Sequence, residues 1–568
     1  MISFPQRLGL FALALAAAIF WMSWPLPMQL GELLTSGRAD GDLGYTLSAH
    51  WWAGEVLSGQ ASFPINDRVY FPQGQNMAGS VWNFVPLFLS AWTHWFLDPL
   101  SAYNLAILFL MALNGVAAAL LGMRLGGSWG ALGGACAILA FPFPWAEAFE
   151  GRLEQAFLAP AILVFWAAIP FRESPQAHAR TLGLLMGLVA ACYWFYAPIV
   201  SLGLGLFLGR SLRCRTTLRA LATAFGFSLL AAFPLFLLIV PALEGGAFVQ
   251  ATSDTQHILF TRVGQSLSPW ESFSGGLGPD NLGRTLPLSC TMCMVFVSIK
   301  SAKARPWMLV ALGGALFAMG PVLSHGNEPW VTGGRMIPLP FALLDGIPGL
   351  ARFWWPYRFL ALVGIAGIAC MAILFSRLSG SPRRFAPLLL ALLFLVEGRL
   401  ILANATQKGD PSIPASSWDP EPHGHFFKLE LPDWIQSPPD SGAMLEFPMS
   451  AVANSAPLYA PFHQLPTAHG DGIREAHIRP KAFEDQVRSN PILAAWARGS
   501  LPQITAEPLD ELYRLGFRHI VVHTDPSGSS ASSQEEGALV SRFQAAIGPP
   551  THQESRLRVF AIPSPRSD

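Results

Sequence analysis

The sequence is short of charge. Asp, Glu, Lys and Arg make up 13% of its 568 residues, about half of the roughly 25% usual in a soluble domain. So few charges cannot cover a water-soluble surface of this size. With 52% hydrophobic residues, the chain reads as one that crosses a membrane many times. Basic and acidic residues balance, 36 against 36, so no bulk attraction to nucleic acid exists and none is expected as a partner. Cysteine is scarce as well. The six thiols, at positions 136, 192, 214, 290, 293 and 370, lie in or beside apolar runs, and the polar C-terminal region has none. No disulfide framework is indicated. The "CTMC" pair, Cys290 and Cys293, has metal or redox spacing but no second pair beside it, and reads as two buried thiols.

Other things are missing. There is no Ser-x-x-Lys, nucleophile elbow or nucleotide-binding fingerprint. The glycine-rich "FSGGLGPDNLG" at 273–283 follows no strand and lacks Lys-Ser/Thr, so it is no phosphate cradle. His50, His94 and His257 form no H-x-x-x-H pair, and a zinc site is not expected. Internal repeats and paired mid-span charges would mark a transporter of lipid or polymer. No repeat is visible, and mid-run charges reduce to Glu397 and Arg399 near the end of one run.

What is present is a series of apolar runs at roughly 8–28, 101–123, 128–144, 156–171, 181–194, 196–210, 218–241, 285–299, 307–323, 356–376 and 385–403. Each is near or somewhat below the ~20 residues a spanning helix needs. The first is too long for a signal-peptide core, and "WPLP" stands where a small-residue cleavage site would be, so it reads as a retained span. Segment 82–97, "WNFVPLFLSAWTHWFL", is shorter and aromatic. Treating it as a non-spanning interfacial helix, with the N-terminus inside, puts the basic loops around Arg124, 172–180, 210–219, 300–305 and 377–384 on one side, as the positive-inside rule asks. The expectation is a mainly α polytopic membrane helical bundle of about 11 spans over 1–403, its first outer loop at 29–100. A small α/β extracytoplasmic domain is expected over 404–568, after a Pro/Ser-rich linker at 409–422. In that tail "GAMLEFPMS", "FRHIVVHTD" and "LRVFAIP" read as strands, and "AEPLDELYRLGF" and 534–547 as helices.

Two outward-facing groups of residues stand out. Asp40 and Asp42 sit just after the first span, with Tyr45, His50 and a Trp pair following. Glu147, Glu150, Arg152 and Glu154 lie in "WAEAFEGRLEQ", a short loop on the same side. Carboxylates from two loops at one membrane face suit general base work or a divalent cation. The second group, "GLARFWWPYRFLALVG", places Arg352 and Arg358 around Trp354, Trp355 and Pro356 at the outer start of a late span. Arginine there suits a lipid phosphate, and the aromatic residues suit the interface.

These residues resemble the GT-C superfamily of polytopic glycosyltransferases that use polyprenyl-phosphate-linked sugars, and more closely a group of uncharacterised bacterial membrane proteins of that type. The resemblance rests on "GD-x-x-Y" (Gly41, Asp42, Tyr45), "YFP-x-G" (70–74), an "R-x-x-x-P-x-R-F"-like start of a late helix (Arg352, Pro356, Arg358, Phe359) and "LGFRHIVVH" (515–523). It implies a membrane glycosyltransferase of the bacterial inner membrane, with the C-terminal domain periplasmic. The donor would be a polyprenyl-phosphate sugar, the acceptor a glycan, lipid or protein. Transfer would invert the anomeric carbon, with Asp42, Asp40, Glu150 and Glu154 as catalytic carboxylates and Arg352, Arg358 and Arg152 as donor-phosphate ligands. Tyr45, His50, Trp354 and Trp355 would contact substrate or interface. Metal use varies in the superfamily; a Mg or Mn ion would fall to Asp42, Glu147 and Glu154. The sequence departs from the group where a His-bearing "GHLQ"-like stretch is usual and "GRLEQ" (151–155) stands instead. The alternatives are a non-catalytic membrane assembly or binding protein of the same fold, or a lipid or polymer transporter.

Overall fold

The computed structural model describes residues 4–35, 42–80, 84–244, 286–325, 328–346, 355–378, 385–405, 426–429, 431–438, 441–448, 456–470, 479–524, 531–554 and 557–565. Asp40, His257, Arg352, Trp354, the glycine-rich 273–283 and the linker 409–422 lie outside the described residues.

All eleven apolar runs are helical. In chain order the helices are α1 (Phe4–Ser23), α2 (Asp42–Leu57), α3 (Phe84–Ser90), α4 (Pro99–Leu139), α5 (Pro142–Phe149), α6 (Ala159–Glu173), α7 (Pro175–Cys192), α8 (Tyr196–Leu208), α9 (Arg215–Glu244), α10 (Leu288–Lys300), α11 (Arg305–Ala318), α12 (Leu360–Leu378) and α13 (Ala386–Ala405). Two runs fuse in α4, which folds back at Gly126 and Gly127. Gly127 has φ +63, a conformation open to glycine at little cost. Among the described residues, five helices are long and apolar enough to cross a membrane: Pro99–Leu139, Leu153–Glu173, Arg215–Leu238, Pro356–Leu378 and Ala386–Ala403. Three shorter apolar helices accompany them. α12 is buried along nearly its whole length and packs against α4, its Ile368, Met371 and Ala372 meeting the glycines of the second arm. α9 is the opposite case, its Phe225, Leu229, Phe233 and Leu237 facing outward.

Within 82–97 the described helix, α3, is short. α3 continues only as a 3-10 stretch, Ala91–Trp95, too short to span, and both pieces lie against α2. The two mid-run charges also have structural roles. Glu397 on α13 accepts hydrogen bonds from the backbone N–H groups of Leu288 (2.6 Å) and Ser289 (3.1 Å), capping the start of α10. Arg399 donates to the Trp24 carbonyl at 2.6 Å, closing the end of α1.

The C-terminal residues build a sheet. Two short strands come first: β1 (Leu33–Thr35), just ahead of α2, pairs antiparallel with β2 (Phe426–Lys428). Then β3 (Ala443–Phe447), β4 (Phe517–His523), β5 (His552–Gln553) and β6 (Leu557–Ala561) form one sheet in the order β5-β6-β4-β3, with β3 and β4 parallel and the rest antiparallel. Side chains alternate along a strand. Ile520 and Val522 enter a core with Trp496, Phe483 and Phe543, while Val521 enters another with Trp434 and Tyr459. Both faces are covered, which is why "IVV" (520–522) reads as an unbroken apolar run.

This sheet is tied to the chain around α2. Residues 68–71 run beside 467–469: Tyr70 N–H donates to the His469 carbonyl (3.0 Å), Phe71 N–H to Thr467 (3.0 Å) and Thr467 N–H to Arg68 (2.8 Å). Tyr70 is fully buried in the core that holds Trp496, and Phe71 meets Phe517 edge-on at 5.5 Å. The "YFP-x-G" stretch is thus a plug that fastens the first loop to the C-terminal sheet. The helix Ala456–His463 packs directly on α2.

Candidate active site

Asp42 is the first residue of α2, where its carboxylate complements the helix dipole. Asn104 on α4 fixes the chain leading to it, donating to the Leu30 (2.7 Å) and Leu33 (2.6 Å) carbonyls. The opposing wall is the turn after α5. At Gly151 the backbone has φ +82, and a Cβ there would overlap the Leu43 backbone. Only glycine lets this turn lie flat on the start of α2. Close approach at Gly151 brings the next residue, Arg152, over Asp42.

The Arg152 guanidinium contacts three carboxylates. Nη1 pairs with Asp42 Oδ2 at 3.1 Å and Nε with Glu147 Oε2 at 2.7 Å, and Nη2 pairs with Glu150. Glu147 is 0% exposed and Asp42 48%. A carboxylate as buried as Glu147 is strongly unfavourable without a cation, and Arg152 supplies it. Burial alone would lower the Arg152 pKa, but Glu147, with Tyr357 and Asp42, outweighs it and holds the guanidinium firmly charged. Tyr357 also donates its hydroxyl to Glu147 at 3.4 Å.

Three residues further on, the same turn meets a second arginine. Gln155 Oε1 accepts from Arg358 Nε at 3.0 Å. Arg358 is 3% exposed and lies over three aromatic rings, Trp355 (4.2 Å), Phe195 (4.9 Å) and Tyr193 (5.2 Å). Among the described residues it has no carboxylate partner, and its Nη1 is buried without a hydrogen bond. A buried unpaired guanidinium nitrogen is costly unless something fills it. The turn itself is pinned from behind: Asn114 donates to the Ala156 carbonyl (2.8 Å) and accepts from Ala159 N–H (2.8 Å), and Tyr196 donates to the Gln155 carbonyl (2.5 Å).

The expected site residues therefore divide. Asp42, Glu147, Glu150 and Arg152 meet in one cluster, and Arg358 and Trp355 adjoin it through Gln155. The Glu154 carboxylate accepts from the Gln155 amide at 3.4 Å. Arg152, expected on the donor phosphate, is instead spent on three carboxylates. For the same reason the set Asp42, Glu147 and Glu154 does not fit a divalent cation, because the guanidinium already sits against Asp42 and Glu147. Among the described residues no group of three His, Cys, Asp or Glu is arranged to hold a metal. His50 points elsewhere: Nε2 lies 3.1 Å from Ser90 Oγ and Nδ1 2.9 Å from His94 Nε2. Burial pushes both imidazoles down, His94 to about 4, so the pair clamps the 3-10 stretch onto α2. Tyr45 lines a small cavity of about 10 Å³ with Gln75, Thr467 and His469, room for about one water. Gln155, Asn114, Tyr196 and Tyr357 were not anticipated; an amide inside an apolar run, as at Asn114, was their only sequence signal.

These elements form a bundle with helices long and apolar enough to cross a membrane, and its fold is found in solved structures. The crystal structure of ArnT from Cupriavidus metallidurans bound to undecaprenyl phosphate is similar over 99% of this chain and 99% of that one, with a TM-score of 0.53 at 11% identity. ArnT in the apo state is similar over 98% of each chain, with TM-score 0.53 and 11% identity. The Archaeoglobus fulgidus oligosaccharyltransferase in complex with Zn and sulfate gives 0.48 at 11% identity, over 93% of this chain and 69% of that one. At such identities the likeness is one of fold. No protein-family model and no curated protein matches the sequence.

Proposed function

We propose that the protein is an integral-membrane glycosyltransferase that moves a sugar from a polyprenyl-phosphate donor to an extracytoplasmic glycan, lipid or protein acceptor, with inversion. The observation that carries this reading is the turn 151–155, which bonds through Arg152 to a half-exposed carboxylate and through Gln155 to a buried guanidinium with one unfilled nitrogen. Asp42 Oδ2 is held by Arg152, which leaves Oδ1 to take the proton of the acceptor hydroxyl. The freed oxygen bonds to the anomeric carbon as the bond from that carbon to the phosphate oxygen breaks. The electron pair leaves with the lipid phosphate, whose growing charge meets Arg358 Nη1; Arg352 precedes it on the same segment. Arg152 keeps Asp42 oriented and also pairs with Glu147 and Glu150. The site so read works without a divalent cation. ArnT, of the same fold, was crystallised with undecaprenyl phosphate, in keeping with a lipid-phosphate donor here.

The test is transfer from a polyprenyl-phosphate sugar by purified protein in detergent. Asp42→Asn should lower turnover by about a hundredfold or more while leaving donor affinity nearly unchanged. Arg358→Ala should weaken donor binding as well as turnover. Full activity in Asp42→Asn removes it as the base; full activity in both variants removes this site, and no transfer by the wild type favours the assembly reading.

A further inference from the structure

The far end of the helical bundle carries a second cavity. α6 begins four residues beyond the site turn and runs 15 residues to Glu173, a rise of ~22 Å. α8 begins at Tyr196, bonded to Gln155, and runs away from the site in the same direction. Between their far ends, the end of α10 and the start of α11 lies a groove of about 940 Å³, within the ~300–1,000 Å³ of ligand pockets. Its wall is apolar and outward-facing: Val295, Ile299, Leu309 and Leu312 are about half exposed or more. Its rim carries three arginines, Arg172, Arg210 and Arg305, and no acidic residue lines it.

None of the three arginines has a carboxylate partner among the described residues; Arg172 lies 5.7 Å from the Phe207 ring. The contrast with Arg152, saturated by three carboxylates, is complete. Positive charges around an apolar trough at the end of membrane helices match one chemistry, an anionic head with an apolar tail. The occupant lies too far from Asp42 to be the donor. We infer that this groove binds a membrane phospholipid of net negative charge, its phosphate held by Arg172, Arg210 and Arg305 and its acyl chain lying against α10 and α11. It would come from the leaflet opposite the candidate site and hold the ends of α6, α8, α10 and α11 together.

The experiment is native mass spectrometry of the full chain released from detergent, with added phosphatidylglycerol, phosphatidylcholine or inorganic phosphate. The wild type should favour phosphatidylglycerol over phosphatidylcholine by about tenfold or more, and inorganic phosphate should neither bind nor compete. Combined Arg172→Gln, Arg210→Gln and Arg305→Gln should bring the preference within about twofold. Should that variant not fold, Leu309→Trp fills the trough with the charges intact and should displace the lipid, and added salt should erode the wild-type preference. Equal retention of both lipids by the wild type, or an unchanged preference in the triple variant, overturns the inference. Competition by inorganic phosphate alone would show a plain anion site and overturn the lipid assignment. None of these readouts depends on sugar transfer.

Discussion

Among the described residues two carboxylates are completely buried, and they are held by different partners. Glu147, near the end of the membrane bundle, faces the guanidinium of Arg152 at 2.7 Å. Glu446, on β3 of the C-terminal sheet, faces imidazoles: His523 Nε2 lies 3.0 Å from its Oε1, with His463 and His469 nearby. An arginine keeps its charge at any pH a protein survives, whereas an imidazole does not. The first cluster also opens on one side through Asp42, 48% exposed, while Glu446, His463, His469 and His523 are all buried. A fixed charge beside an open carboxylate suits chemistry on a substrate. A closed, titrating cluster suits structure.

The sharpest way to break that comparison is to remove the fixed charge. Arg152→Ala strands Glu147 in the interior, and breaking a buried pair in this way costs ~3–5 kcal/mol. Thermal unfolding in detergent should show a large loss of stability, and Arg152→Lys a smaller one, since it keeps the charge and loses the fork. Wild-type stability in Arg152→Ala would mean that the pairing does not hold Glu147. Chelation sharpens the same point: stripping divalent cations should leave wild-type turnover unchanged.

The second cluster should respond to acid. Burial pushes His463 down to about 4 and His469 in the same direction. Below the ordinary histidine value of ~6.5 the unfolded chain then binds protons that the folded one refuses, so stability falls as pH drops from there toward 4. Burial alone would raise the Glu446 pKa, but its hydrogen bond to His523 and the nearby His469 hold it low. Its contribution is present above the ordinary carboxylate range and is lost as pH falls through the folded value. Both effects have one sign. The Tm of the C-terminal sheet should fall between pH 6.5 and 4, and His463→Phe should flatten the slope. A Tm constant across that range would refute the assignment.

The helices were legible because the solvent writes them. An apolar run long enough to meet lipid must be helical, and the sheet strands carried β-branched runs between turn residues. The site was legible only in part. Asp42 and Glu147 stood out as charges in a chain that has few, but Arg152 lay among several ionisable neighbours and nothing in "GRLEQ" says which way a guanidinium turns. Its partners are fixed by the φ +82 turn at Gly151, a tertiary contact with Leu43 over a hundred residues away. Gln155 and Asn114 act through backbone and amide hydrogen bonds whose partners only folding creates. Gly151→Ala therefore tests the juxtaposition itself. Positive φ and the overlap with α2 together should cost ~1–3 kcal/mol and move Arg152 off Asp42, lowering turnover more than the loss of stability explains. Unchanged turnover would mean that the close approach is not needed.

The smallest expected effect concerns Arg358, which among the described residues lacks the carboxylates that Arg152 has in excess. Three aromatic faces hold it instead, with Trp355 nearest at 4.2 Å. Such contacts position a guanidinium without neutralising it, so its charge remains available to a phosphate. Trp355→Leu keeps an apolar wall and removes the nearest ring, a change worth ~0.5–1 kcal/mol at a site of this kind. Donor affinity should fall by about two- to fivefold, while the Asp42-dependent proton transfer and its pH profile stay as they were. Trp355→Phe should restore most of the affinity, which a simple packing defect at the larger side chain would not do. If both variants lose turnover at saturating donor rather than affinity, the ring supports the reacting centre and Arg358 is not the phosphate ligand.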